Sequence, residues 1–234
     1  GTATIKPVRK IFGPGNQYVT QAKQIVSMDG IAIDMPAGPS EVLVMADYTA
    51  NPAFIAADLL SQAEHGSDSQ VVLVTNDSGL PARVNIELKT QLKKLNRRAI
   101  ATAALRKSFA VVFRSTKNCI DFINTYAPEH LIINTRDPNS LVNKIESAGS
   151  IFLGAYSPES VGDYASGTNH TLPTNGYAKA ISGVSTESFR KYITVQEISA
   201  AGLKRIGPIV ETMAAAETLD AHKLAVTIRL ESLK

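Results

Sequence analysis

Four histidines, His65, His130, His170 and His222, are the side chains here best suited to proton transfer or metal ligation. Each lies beside another polar functional group. Gln62 and His65 are three apart, which puts them on one face of a helix. Glu129 directly precedes His130, just ahead of an apolar run. His170 closes Gly167-Thr168-Asn169-His170, seven residues after Asp163 in the same Gly-rich stretch. Glu217 and His222 lie in a C-terminal segment with a helical pattern. A zinc ion takes about four nitrogen, oxygen or sulfur ligands. With a single cysteine, Cys119, thiolate sites are excluded; His65, His222 and Asp163 are then the natural candidates, with Gln62 as a weaker oxygen donor. No HExxH pattern occurs, and spacing alone favours polar residues hydrogen-bonded near a loop over a metal site.

Gly13-Pro14-Gly15-Asn16 begins like a dinucleotide fingerprint, but Tyr18 stands where the third glycine belongs. A tight turn before a helix explains it as well, and the helix N-terminus could still receive a phosphate or a nucleotide hydroxyl.

The elements that must position these groups follow from pattern. A helix is expected over 17–27, a buried strand over 31–35 and a rigid Pro/Gly loop over 36–40. A strand follows over 42–46, then a helix from Asn51-Pro52 to Gly66. Strand 71–75, a charged helix near 80–95, strand 109–113, helix 120–126, strand 131–134, helix 140–147 and strand 150–153 come next. Short apolar strands alternating with helices imply an α/β fold with a mostly parallel sheet covered on both faces. Residues 157–176 read as a Gly/Ser/Thr/Asn-rich loop, and from about Thr194 the chain reads as helical, broken at Pro208. On one straight helix Glu217 and His222, five apart, would diverge by about 140°.

Composition narrows the function classes. The chain has 234 residues, 44% of them apolar, with 15 Gly and 11 Pro, as in a globular protein with a sizeable core. Its net charge of +3 is too small to imply a nucleic acid or an anionic membrane as partner. No apolar run approaches the roughly 18 residues of a membrane span. The densest basic group, Lys93, Lys94, Arg97 and Arg98, reads as the solvated face of a helix. Cys119, in an apolar stretch, reads as an inert core thiol, and the lack of a second cysteine fits a reducing, cytoplasmic setting. The first residue is Gly1 rather than Met, which suggests processing or a piece of a longer protein.

Taken together, several motifs resemble histidinol dehydrogenases. They are Ile11–Asn16, Asp34-Met35-Pro36-Ala37-Gly38-Pro39-Ser40-Glu41-Val42, Leu60-Ser61-Gln62-Ala63-Glu64-His65-Gly66, Pro128-Glu129-His130-Leu131, Gly162–His170 and Ala221-His222-Lys223. They run through nearly the whole chain in order. That resemblance implies a zinc-dependent homodimer that oxidises L-histidinol through L-histidinaldehyde to L-histidine with two NAD⁺, in histidine biosynthesis. It implies one Zn²⁺ per site held by Gln62, His65, Asp163 and His222. Ser40, His130, Glu217 and the zinc ligands would contact substrate, Asn16 would contact NAD, and Glu129 with His130 would form the acid–base pair. His170 is assigned to substrate contact or support of the site, with a loop-stabilising hydrogen bond as the alternative.

The likeness is to the C-terminal half of that family's chain. It implies that residues 1–39 end a second Rossmann-like domain, that 40–184 form an incomplete Rossmann-like domain carrying most of the site, and that 185–234 form a helical dimerisation arm. An exchanged arm would bring Glu217 and His222 to the partner's site, so a monomer would bind zinc poorly. A sheet lacking the early strands would expose unpaired edges, and the isolated chain is expected to lack full activity. Two other classes stay open: a zinc-binding dimerisation module without catalysis, and a metal-dependent hydrolase using Glu129 to activate water.

Overall fold

A computed structural model describes residues 1–36 and 38–233; Ala37, within the Pro/Gly loop, and Lys234, the last residue of the expected arm, lie outside the described residues. The chain forms two compact units, Gly1–Arg190 and Lys191–Lys234.

The first unit opens with β1 (Lys10–Ile11), α1 (Gln17–Ser27) and β2 (Ala32–Ile33). It continues with β3 (Glu41–Ala46), α2 (Pro52–Ala63), β4 (Gln70–Thr75), α3 (Leu80–Leu92), α4 (Arg98–Leu105) and β5 (Phe109–Val112). Next come α5 (Thr116–Tyr126), β6 (His130–Asn134), α6 (Asn139–Val142), β7 (Ser150–Leu153) and α7 (Glu159–Tyr164), followed by single 3₁₀ turns at Tyr177–Lys179 and Thr186–Phe189. Five strands form one parallel sheet in the order β5-β4-β3-β6-β7. This is the α/β class expected from the alternation of apolar runs and helices.

All six residues of the central strand β3 are buried, as a parallel strand covered on both faces must be. Its side chains alternate between two cores. Val42, Val44 and Ala46 face Ile55, Leu59 and Leu60 of α2 and Ala101 and Ala104 of α4. Leu43 and Met45 face Cys119, Ile120 and Ile123 of α5. Cys119 is fully buried there, and burial pushes its thiol up, as an inert core group requires.

Several expectations are corrected. The strand expected over 31–35 shrinks to β2, which pairs only with β1 among the described residues, leaving Ala32 exposed. The single helix expected near 80–95 ends at Leu92, and the Ala-rich α4 follows. The basic cluster is therefore exposed around the turn between two helices rather than along one face. The helix expected over 140–147 is only the four residues of α6. The Gly-rich loop after Tyr156 contains α7, so Asp163 sits on a helix; Pro158 as N-cap and Glu159 in the first turn start it. Among the described residues no helix is long and apolar enough to cross a membrane.

The second unit is a helical hairpin of α8 (Ala200–Ala216) and α9 (Asp220–Glu231). Helix begins at Ala200, capped by Ser199, and Pro208 lies inside α8 rather than at a break. Gly207 precedes it and offers no Cβ to clash with the proline ring. The same missing Cβ lets Leu230 of α9 pack close, since a Cβ on Gly207 would lie 2.9 Å from Leu230 Cδ1. The real break is at 217–219, where Thr218 adopts φ 58°. Glu217 and His222 thus flank a turn, which removes the straight-helix argument that set them apart.

A buried ion pair anchors the N-terminal turn of the first unit. Lys23 Nζ lies 2.5 Å from Asp34 Oδ1, with both side chains almost fully buried. Asp34 Oδ2 accepts from Gly13 N at 2.8 Å, and Lys23 Nζ donates to Gly13 O at 2.9 Å. Burial alone would raise the Asp34 carboxyl. The Lys23 ammonium and the Gly13 and Met35 amides outweigh it and hold the carboxyl below its ordinary value. Removing one partner leaves the other charge buried alone, so Lys23→Met is expected to cost about 3–5 kcal/mol of stability. Because the folded-state value is depressed, the Asp34 contribution is intact above the unfolded carboxylate value and lost as pH falls through the folded one. Denaturant titration of wild type and Lys23→Met at neutral and acidic pH checks this. A cost that stays the same on acidification would contradict it.

Candidate functional site

The chemistry-bearing residues collect at the amino edge of the sheet, where β3 and β6 begin. In their parallel register Val42 pairs with His130, which sets the Glu41 peptide group beside Glu129 and His130. Glu41 N donates to Glu129 Oε2 at 2.8 Å. His130 Nδ1 lies 3.0 Å from Glu41 O. A carbonyl oxygen only accepts, so Nδ1 carries the proton and Nε2 keeps its lone pair. That Nε2 is buried, has no hydrogen-bond partner among the described residues and lies 3.9 Å from Asp163 Oδ1.

Two more elements complete one wall. The C-terminal end of α2 carries Gln62, with His65 in the turn just beyond it. Helix α7 carries Glu159 and Asp163. Its Gly162 makes the close approach possible: a Cβ there would lie 2.5 Å from Phe152 Cε1 on β7. His65, Glu159 and Asp163 offer ligand atoms within 4.8 Å of one another. An imidazole nitrogen and carboxylate oxygens at that spacing fit a divalent transition metal such as zinc.

Gln62 is fully buried, and its amide orientation follows from its neighbours. With the nitrogen toward Glu159 it donates to both carboxylate oxygens, at 2.7 and 3.0 Å. The opposite orientation would set oxygen against oxygen.

A pocket of about 450 Å³ joins these groups. Of the residues singled out from sequence, Ser40, Gln62, His65, Glu129, His130, Asp163 and His170 all line it. The Gly13-Pro14-Gly15 turn, held by Lys23 and Asp34, forms part of its wall. Asn16 lines an adjoining recess with Ser40 and His65. Its Oδ1 caps α1 by accepting from Tyr18 N and Val19 N, which leaves only its amide NH₂ for a ligand. Glu217 and His222 belong to the second unit, where both side chains are exposed.

Carboxyl groups in this region sit far from their ordinary values. Burial, then the charges of Glu41, Glu159 and Asp163, push Glu129 up to about 8 against the Glu41 amide. Burial, Asp163 and Asp58 push Glu159 up to about 8. The Gln62 amide opposes that shift by donating to the charged form. Burial pushes Asp58, one turn before Gln62 on α2, up to about 7. Burial also lowers His130, so its ring is neutral at neutral pH and able to accept a proton.

Sequence reasoning missed Glu159 and the role of the Glu41 backbone. Glu159 lay in a stretch read as loop, although Pro158-Glu159 is a helix-start signal. Glu41 belongs to one of the motifs and is a charged residue opening an apolar strand, which is itself a signal of a partnered buried group.

The histidinol dehydrogenase family model matches residues 1–230. A histidinol dehydrogenase of Bacteroides fragilis is 60% identical over 234 residues, covering all of this chain and 55% of that protein. One from Shewanella oneidensis is 59% identical, with 54% of its length covered. The crystal structure of histidinol dehydrogenase from Elizabethkingia anophelis superposes with a TM-score of 0.96 at 59% identity, over all of this chain and 54% of that one. γ-Glutamyl phosphate reductase from Thermotoga maritima, at 13% identity and a TM-score of 0.51 over 81% of this chain, shares the fold alone. The chain spans about half the length of the curated relatives it matches. On these findings the resemblance first drawn from scattered motifs is one of descent, and the chain belongs to the histidinol dehydrogenase family.

Proposed function

We propose that this chain carries the substrate and metal walls of an enzyme that oxidises L-histidinol to L-histidine in two NAD-linked steps. The observation that supports it most is His130, held neutral with its free Nε2 in a pocket also lined by His65 and Asp163, whose cluster the buried Glu159 completes behind the wall. In the first step the alcohol carbon gives a hydride to NAD⁺ while His130 Nε2 takes the hydroxyl proton, which leaves L-histidinaldehyde. In the second step Glu129 takes a proton from the water that adds to the aldehyde. His130 returns its proton to the aldehyde oxygen to complete the hydrate, then takes a hydroxyl proton again as the hydride passes to a second NAD⁺. The carboxylic acid so formed releases its last proton to solvent as the carboxylate. A carboxyl with a value near 8 and an imidazole lowered by burial are both suited to proton transfer near neutral pH.

Gln62, His65, Asp163 and His222 would hold one Zn²⁺. When bound, the ion supplies a template for the substrate's imidazole and amino group. Ser40 and His170, both on the pocket wall, would contact the substrate, and the Asn16 amide would face NAD. Glu217 and His222, on the helical hairpin, would complete the site of a second copy in a homodimer with exchanged arms.

The half-length coverage of the relatives favours one second reading, a zinc- and substrate-binding portion without turnover. Calorimetric titration separates the readings. The zinc-loaded chain is expected to bind one L-histidinol per zinc, and His65→Ala to lose both ligands. With NAD⁺ added, NADH forms, and His130→Ala slows it by about 10²–10⁴-fold. Zinc-dependent histidinol binding with no NADH from wild type would establish the second reading. Histidinol binding that ignores zinc, or unchanged NADH formation by His130→Ala, would overturn the proposal.

Nitrogen and oxygen donors without thiolate make a fairly hard, exchangeable site. Co²⁺ or Mn²⁺ is therefore expected to restore histidinol binding to the metal-free chain. The Co²⁺ form should show no thiolate-to-metal charge-transfer absorption. Restoration by zinc alone, or a thiolate band, would count against this donor set.

A further inference from the structure

We propose that Glu159 is a positioning residue that fixes the orientation of the Gln62 carboxamide and so commits its oxygen, rather than its nitrogen, to the pocket. Both side chains are fully buried, Gln62 at 1% and Glu159 at 2% exposure. With its amide nitrogen turned toward Glu159, Gln62 would donate to Oε1 at 2.7 Å and to Oε2 at 3.0 Å. In its ionised form, which two N–H donors from Gln62 favour against the effect of burial, Glu159 presents two acceptors and no donor, so only one amide orientation satisfies it. The opposite orientation would put Gln62 Oε1 against two carboxylate oxygens with both side chains buried, an arrangement that leaves buried polar groups unsatisfied. The amide nitrogen is thereby occupied, and Oε1 is the atom left for the pocket that Gln62 lines.

The constraint matters because a carboxamide is ambiguous as a ligand. Its oxygen coordinates a cation, whereas its NH₂ repels one, and the two ends differ only by a half-turn of the terminal torsion. A glutamine ligand needs a partner that removes that freedom, much as a metal-bound histidine needs an acceptor for its second nitrogen. Glu159 reaches Gln62 from the first turn of α7, the helix that also carries Asp163. One short helix thus delivers both a candidate ligand and the group that aligns another. Its own carboxylate lies within the His65 and Asp163 cluster, so direct coordination by Glu159 is the rival role.

The consequence for metal affinity rests on the proposed zinc reading; the amide orientation does not. Two measurements therefore separate the failures. In the metal-free chain, the Gln62 side-chain NH₂ is expected to give a resolved NMR signal protected from exchange with water. Glu159→Gln replaces one acceptor by a donor, so either orientation of Gln62 meets one match and one clash. Exchange should then accelerate by about 10-fold or more, the loss of a charge-assisted hydrogen bond. Unchanged protection in Glu159→Gln would overturn the proposal whether or not the chain binds metal.

Zinc affinity by competition with a chromophoric chelator is the second readout. Glu159→Gln is expected to weaken binding about 10–100-fold, the usual effect of losing a group that orients a ligand. In a Gln62→Ala background the same substitution should cost almost nothing, because its effect passes through Gln62. An equal loss in both backgrounds would make Glu159 a direct ligand and overturn the positioning role. Wild type that binds no zinc would defeat the zinc reading, and the amide exchange rates alone would then uphold or overturn the role of Glu159. Glu159→Gln is isosteric, and circular dichroism and thermal melting identify any variant that fails to fold. Glu159→Asp, which keeps the charge but withdraws it by one methylene, is expected to fall between the two in both readouts.

Discussion

The Glu41 peptide group, placed by the register of β3 against β6, is the constraint on which the candidate site rests. Its N–H holds Glu129 and its C=O holds His130, so one residue's backbone orients both members of the proposed acid–base pair. The pairing of Val42 with His130 fixes that arrangement. A slip of one residue would turn His130 to the other face of the sheet. Such a slip is costly here, because β3 is buried throughout and feeds alternate side chains into two separate cores.

Around that fixed pair the other groups arrive on elements held by close contacts rather than by long side chains. Gln62 is near the end of α2, a helix packed into the core on one face of the sheet. Helix α7 comes close enough because Gly162 has no Cβ to strike Phe152. The N-terminal turn is held by a buried ion pair, and strand pairing of β1 with β2 supports it. The result gathers several buried or half-buried carboxyl groups near one another. Glu129, Glu159 and Asp58 are all raised, largely by burial, and the first two also by neighbouring carboxylates. A bound cation would relieve that repulsion, which gives the proposed zinc a structural part as well as a chemical one.

Much of the fold was legible because its strands are short apolar runs, each bounded by turn chemistry. Helix α1 and strand β7 match the sequence reading at both ends. What failed did so for physical reasons. β2 carried an apolar pattern but has one neighbouring strand among the described residues, so pairing rather than propensity limits it. Pro208 looked like a break, yet Gly207 relieves the steric objection, and the turn falls instead at Thr218. At the site, most of the residues that the motifs named converge on one pocket. Glu159 did not stand out, because a buried carboxylate that serves an amide leaves no spacing signature. The Glu41 contribution comes from main-chain atoms, which no residue type reports.

The tautomer of His130 tests the central claim most directly. Nitrogen-15 NMR of the imidazole, recorded near neutral pH on selectively labelled chain, distinguishes the protonated nitrogen from the one with a free lone pair. The hydrogen bond to the Glu41 carbonyl predicts a neutral ring with the proton on Nδ1 and an unprotonated Nε2. A ring protonated on Nε2, or an imidazolium, would leave no lone pair facing the pocket and would contradict it.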